Sequence, residues 1–161
     1  MKKVKVLFVC LGNICRSPLS AAIFKHKIKN NGMTSWVEVD SCGTSNYHIG
    51  DTADPRTLAN ASRNGISINH CVRKLSNDDL ENFDFIFAMD KSNYQNILKL
   101  SNGGNFDHKI RMLRDFDPES KGGEVPDPYH GGEKGFQEVF EILDRATTNF
   151  IAFLEKEYGN Q

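Results

Sequence analysis

Val4-Lys5-Val6-Leu7-Phe8-Val9-Cys10-Leu11-Gly12-Asn13-Ile14-Cys15-Arg16-Ser17-Pro18 is the stretch whose reading decides the fold. Val4 to Cys10 is an apolar run rich in β-branched residues, the pattern of a strand buried on both faces. Ser17-Pro18 reads as an N-cap followed by proline at the first helical position. The chain therefore passes from a buried strand, through a short loop, directly into a helix. That helix runs through Ala21, Ala22, Ile23 and Phe24 until Asn31-Gly32 stops it.

The same alternation continues outward. Val37 to Cys42 reads as a second strand, and Asp54-Pro55 opens a helix that Asn64-Gly65 closes. Phe83 to Met89 is a third buried strand, with Asp90 as the cap of a helix through Ile97, Leu98 and Leu100 that ends at Gly103-Gly104. Lys109 to Leu113 reads as a short fourth strand. Phe136, Val139, Phe140, Leu143, Ala146, Phe150 and Leu154 then form one helical stripe, read as core. Strands alternating with helices imply right-handed crossovers and a parallel sheet with helices on both faces. Between Asp117 and Glu133 the chain is rich in proline and glycine, and a loop of that length in a compact domain is usually functional or disordered.

Composition narrows the function classes. The 161 residues suit one domain spanning 1–161, with 39% hydrophobic and 25% charged residues. A formal net charge of -1 offers no global field for nucleic acid or anionic lipid, so neither is expected as a partner. Lys25, Lys27 and Lys29 read as the wet face of a helix. Met1-Lys2-Lys3 before the Val4–Val9 run resembles the start of a signal peptide, but the run is short and lacks a small-residue cleavage site. No run approaches the ~18 apolar residues of a membrane span, so membrane insertion is not expected. The 4 cysteines, Cys10, Cys15, Cys42 and Cys71, are too few for a disulfide scaffold, and a cytoplasmic, reducing location is expected. Cys42 and Cys71 read as plain core thiols.

The loop Cys10–Ser17 carries chemistry suited to phosphate. Unpaired amides of a loop and first helical turn, with the helix dipole, form an anion site. Gly12 and Asn13 tolerate positive φ, so Leu11, Gly12, Asn13, Ile14 and Cys15 can curl their amides inward. Arg16 offers a planar fork for two phosphate oxygens. A cysteine in such a field has its thiol pKa lowered from ~8.5 into the range ~3.5–7.5. Ser17 can donate to that thiolate while capping the helix. Cys10 alone could equally be a small apolar residue ending a core strand; the loop–helix placement and Arg16 argue for a nucleophile. Lysine-containing triphosphate loops and dinucleotide glycine fingerprints do not fit.

Val6 to Pro18 resembles the signature of the low-molecular-weight protein tyrosine phosphatases, and the resemblance covers nearly the whole chain. Ser41-Cys42-Gly43-Thr44, Asp54-Pro55-Arg56, His70, Met89-Asp90 and Asp127-Pro128-Tyr129 recur in the family's order and approximate spacing. It implies a four-stranded parallel sheet, flavodoxin-like or Rossmann-like, with the phosphate loop after the first strand. It also implies that Cys10 forms a cysteinyl-phosphate and that Arg16 binds the phosphate. Asp127 becomes the general acid and base; read by itself, Asp127-Pro128 could be an ordinary turn. Ligands of open α/β sheets bind at the carboxyl ends of the strands, where Cys10 and the loop holding Asp127 both emerge. The resemblance makes Tyr47 and Tyr129 the aromatic walls of a phosphotyrosine slot, although both could be plain exposed loop tyrosines. It makes Ser41 and His70 the props of Asn13, and Cys15 the partner of Cys10 in a reversible protective disulfide.

A phosphotyrosine protein is thus the expected partner, with no cofactor, no metal and a monomer or weak dimer. Three other readings compete. Thioredoxin-coupled arsenate reductases share the fold but need further redox cysteines near the third strand, where Phe83 to Met89 has none. A phosphoarginine-specific branch usually has threonine where Ile14 stands. A silent phosphate-binding module would lack Arg16 or Asp127, and both are present. Cys42 replaces a common alanine, and His130 follows Tyr129 where some members have a second tyrosine.

Overall fold

The computed structural model describes residues 3–102 and 104–159. The basic start at Met1-Lys2 and Gly103, half of the expected Gly103-Gly104 stop, lie outside the described residues. Four parallel strands form one sheet in the order β2-β1-β3-β4, with β1 at Val4–Cys10, β2 at Val37–Gly43, β3 at Phe85–Ala88 and β4 at Ile110–Met112. Their register aligns Cys10 with Gly43, Val9 with Ala88 and Ala88 with Met112, so all four carboxyl ends reach the same edge. The order reverses beside β1, and ligands of such sheets bind at that switch point.

Helices α1 (Arg16–Asn30) and α5 (Gly132–Tyr158) cover one face. The whole stripe from Phe136 to Leu154 is buried there, and Phe150 sits 4.8 Å from Phe87 and 5.6 Å from Phe24, ring centre to ring centre. α3 (Asn77–Asn82) and α4 (Lys91–Ser101) lie on the other face, where Leu7, Val9, Leu80, Ile86 and Ile97 form a second buried cluster. α2 (Pro55–Arg63) packs beside α5. Asp54 caps α2 by accepting from the Arg56 amide, and Asp90 caps α4 by accepting from the Asn93 amide. Gly65 (φ 77°) and Gly32 (φ 66°) follow the ends of α2 and α1 in the left-handed region.

Several expectations need correction. α1 begins at Arg16, not after a Ser17 cap, because the Ser17 hydroxyl is turned to the Cys10 sulfur instead of the helix amides. β3 is shorter than Phe83–Met89, since Phe83 closes α3 and Met89 leads into α4. A further short helix follows Ser76, held by a capping box in which Asp79 accepts from the Ser76 amide at 2.9 Å. Lys25 and Lys29 are exposed as expected. Lys27 instead ties α1 to α5 through Thr147, Thr148 and Asp144. Cys42 is a core thiol that burial pushes well above its ordinary pKa, but Cys71 is exposed because it lies on the open segment before the Val72 contact. Among the described residues, no helix is long and apolar enough to cross a membrane.

Candidate active site

Cys10 ends β1, where strand hydrogen bonding stops and the chain must turn before α1 starts at Arg16. Asn13 makes that turn at φ 57°, a left-handed value that asparagine tolerates better than most residues. Its side chain is fully buried: Nδ2 donates to Ser17 Oγ at 2.8 Å and to Ser41 Oγ at 3.0 Å, while Oδ1 accepts from the Arg73 amide at 3.2 Å. His70 Nε2 lies 2.8 Å from the Asn13 carbonyl; since a carbonyl only accepts, the ring carries its proton on Nε2. Burial lowers the pKa of His70 despite that bond, which keeps the neutral donor form.

The rest of the loop is tied to its neighbours through its carbonyls. Thr44 and Ser45 amides donate to Cys10 and Leu11 at 3.0 and 2.9 Å, and the Asp54 amide donates to Ile14 at 2.8 Å. Gly43 permits this approach, because a Cβ there would meet the Leu11 carbonyl oxygen at 2.7 Å. The loop amides are left over. Asn13 N–H points to Cys10 Sγ at 3.3 Å, and those of Leu11, Gly12, Ile14 and Cys15 have no protein acceptor among the described residues. Unpaired amides curled beside a helix N-terminus form an anion cradle. Cys10 Sγ stands in it, 2.9 Å from Ser17 Oγ.

Arg16 completes the cradle from a nearly buried position, its side chain only 5% exposed. One nitrogen, Nη1, donates to Asp90 Oδ2 at 2.8 Å and to the Val125 carbonyl at 3.0 Å. Nη2 faces Asp127 Oδ2 at 4.0 Å. Burial opposes the guanidinium charge, but Cys10, Asp90 and Asp127 outweigh it and raise its pKa further. The sequence assigns Asp90 a cap and a place in the family pattern but no chemical task; its second oxygen is what orients Arg16.

Cys10, Leu11, Gly12, Ile14, Cys15, Arg16, Tyr47, His48, Asp127 and Tyr129 line one cleft of about 210 Å³. Asn13, Ser17, Ser41 and His70 stand behind the loop and do not line it. His48 has no signal in the sequence; it lies against Gly12, where a Cβ would sit 3.3 Å from His48 Cδ2. Only the folded chain reveals such a contact. Tyr129 is steadied by Arg56, whose guanidinium lies 4.8 Å from its ring and 5.0 Å from that of Phe136, and which donates to the Tyr129 carbonyl at 2.6 Å. Burial pushes the Cys15 thiol up to about 11. A larger depression of about 720 Å³ flanks the exposed edge of β2, bordered by Lys3, Lys5, Lys25 and Lys29, and holds none of these groups. The edge strand β2 itself contributes Glu38 and Asp40 to this rim, and charges on a free edge strand hinder unwanted strand pairing, so the depression has a structural reason to be charged.

Known proteins bear on this geometry. A family model described as low molecular weight phosphotyrosine protein phosphatase matches residues 5–160. A Schizosaccharomyces pombe low molecular weight phosphotyrosine protein phosphatase is 42% identical, over 93% of this chain and 96% of its own. The solved protein tyrosine phosphatase of Entamoeba histolytica superposes with a TM-score of 0.90 at 42% identity, covering 99% of this chain and 100% of that one. A solved Drosophila arginine phosphatase aligns with a TM-score of 0.87 at 30% identity, covering 98% of this chain and 99% of its own.

Proposed function

The chain belongs to the low molecular weight phosphotyrosine protein phosphatase family, and from that premise we propose that it hydrolyses phosphotyrosine in proteins through Cys10. One observation carries the reading: Cys10 Sγ stands amid unpaired loop amides and a buried Arg16, in a cleft that also holds Asp127. In the first step the Cys10 thiolate attacks phosphorus, and the P–O bond to the phenol breaks as Asp127 gives its proton to the leaving oxygen. Arg16 and the amides of Leu11, Gly12, Ile14 and Cys15 bind the remaining oxygens as charge moves onto them. In the second step the Asp127 carboxylate takes a proton from water, which attacks phosphorus; the S–P bond breaks, returning the Cys10 thiolate and releasing inorganic phosphate. Asn13, Ser17, Ser41 and His70 hold the loop in shape for both steps.

Tyr47 and Tyr129 wall a slot suited to a phenyl ring, and this favours phosphotyrosine over the shorter phosphoserine. Phosphoarginine is the second reading, favoured by the likeness to the Drosophila enzyme and opposed by Ile14. Cys15, lining the same cleft as Cys10, is assigned the partner thiol of a reversible disulfide. We further assign the chain a cytoplasmic location, a single domain over 1–161 and a monomeric or weakly dimeric state. The test is a panel of phosphotyrosine peptide, phosphoarginine and arsenate with the wild type and Cys10→Ser. Phosphotyrosine turnover that vanishes in Cys10→Ser, with vanadate binding retained, is the expected result. Appreciable hydrolysis by Cys10→Ser would overturn the mechanism, and faster phosphoarginine turnover would overturn the substrate.

A further inference from the structure

A second depression, of about 540 Å³, runs off the catalytic cleft and shares Leu11 and Tyr47 with it. These two side chains are 45% and 79% exposed, forming a low apolar ridge between the two spaces. Apolar side chains exposed beside a reactive cleft offer surface that a bound peptide can cover. On the far side, Leu75 and Leu100 supply apolar floor, and Lys74 and Lys99 supply charge. Among the described residues, no carboxylate lines this groove. Arg73, beside Lys74 in sequence, is occupied by Asp40 and Asp79 at 3.0 and 2.9 Å. Lys74 and Lys99 are exposed and meet no carboxylate among the described residues. The groove wall is fixed to the catalytic loop, because the Ser45 amide donates to the Leu11 carbonyl at 2.9 Å. The hydroxyls of Thr44 and Ser45, buried along that wall, have no partner among the described residues.

We propose that this groove is a substrate subsite that receives an aspartate or glutamate side chain flanking the phosphotyrosine. The inference rests on the Cys10 reading above: a peptide whose phosphorylated ring enters the cleft must cross the Leu11–Tyr47 ridge to continue on this side. There it meets two uncompensated ammonium groups over an apolar floor, which favours a carboxylate and disfavours a lysine. A helix-end role for Lys99 would act on stability, not on peptide choice.

The test compares p-nitrophenyl phosphate with three phosphotyrosine peptides: all-alanine flanks, glutamates before the tyrosine, and glutamates after it. One glutamate series should exceed the alanine peptide in kcat/KM by roughly threefold to tenfold at low salt, the range for two exposed charge pairs. That preference should fade as salt shortens the screening length toward about 8 Å. The double variant Lys74→Ala/Lys99→Ala should lose the preference while hydrolysing p-nitrophenyl phosphate like the wild type, and Lys74→Glu/Lys99→Glu should reverse it. Equal turnover of all three peptides by an enzyme active on p-nitrophenyl phosphate would overturn the subsite, as would a preference that survives in the double variant. A wild type inert toward p-nitrophenyl phosphate would instead overturn the Cys10 reading, and the subsite with it.

Discussion

Asp90 performs two tasks with two oxygens, and a pair of substitutions separates them. Oδ1 accepts from the Asn93 amide at 2.7 Å and caps α4, while Oδ2 accepts from Arg16 Nη1 at 2.8 Å. Asp90→Asn keeps an oxygen for the cap but removes the charge that faces Arg16. A hydrogen bond to a charged group contributes about 1.5–3 kcal/mol. Both partners are largely buried, with side chains 5% and 21% exposed, so little of that is lost to solvent screening. Asp90→Asn should therefore cost about 2 kcal/mol, and Asp90→Ala about 1 kcal/mol more for the lost cap. At about 2–4 °C per kcal/mol for a chain of this size, thermal unfolding should fall by roughly 4–8 °C and 6–12 °C respectively. Arg16 keeps the Val125 carbonyl, so it loosens rather than leaves. The kcat/KM for an aryl phosphate should drop by about tenfold to a hundredfold in both variants, short of the ~10²–10³ for removing a transition-state donor outright. Thermal unfolding followed by circular dichroism, alongside initial rates, checks both tasks. Equal stability of the two variants would refute the cap, and wild-type kcat/KM in Asp90→Asn would refute the Arg16 clamp.

Asp127→Ala should lower kcat toward phosphotyrosine peptides by about 10²–10⁴, and less toward a nitrophenyl ester whose leaving group needs little protonation; equal losses on both would move the acid elsewhere. Asp117 is fully buried between Arg145 at 2.7 Å and Arg114 at 2.9 Å, and chiefly its bond to Arg145 lowers its pKa to about 2. A depressed folded pKa gives stability that is present above the unfolded value of ~3.9 and lost as pH falls toward the folded one. Acid unfolding should thus lose about 2 kcal/mol between roughly pH 4 and pH 2, and Asp117→Asn should abolish that limb; an unchanged acid limb in the variant would refute the assignment. Burial holds the Cys15 thiol near 11, so after mild peroxide the closing of a Cys10–Cys15 disulfide should quicken steeply from neutral to alkaline pH. A pH-independent closing step, or thiol-reversible inactivation in Cys15→Ser, would remove Cys15 from that role.

How much of this was legible in the sequence follows from how local each feature is. β1, the Asp54-Pro55 start and the Phe136–Leu154 stripe are written in neighbouring residues, and they stand where the pattern put them. Asn13 beside Gly12 announced a left-handed turn for the same reason. The start of α1 departs from the local signal because Ser17-Pro18, a sound cap pattern, is overridden by what Ser17 touches across the loop. α3 escaped notice because a helix of 6 residues leaves almost no periodic trace, although Ser76 and Asp79 carried its capping box. The charge partner of Arg16 is 74 residues away, and Arg56 reaches Tyr129 across 73. Pairings of that kind have no local signature.

The two halves of the cleft are also held differently, which bears on how the reaction is timed. The phosphate loop is fixed by contacts from β2, the segment around His70 and the cap of α2, through backbone groups, buried side chains and the half-buried His70 ring. An anion site works best when its donors need no reorganisation, and this loop meets that condition before any ligand arrives. The segment that carries Asp127 is anchored on either side, by the Val125 amide donating to the Met89 carbonyl at 2.7 Å and by Arg56 donating to the Tyr129 carbonyl. Asp127 between them is 55% exposed, and among the described residues its carboxylate is engaged by the Tyr129 amide at 3.0 Å and by Arg16 at 4.0 Å. A phosphate that occupies Arg16 competes for that longer contact. Substrate binding itself would then release Asp127 from Arg16 and leave it free to meet the leaving oxygen. On the proposed assignment of Asp127 as the acid, the event that fills the cradle would also free it, coupling proton delivery to the presence of an ester in the cleft.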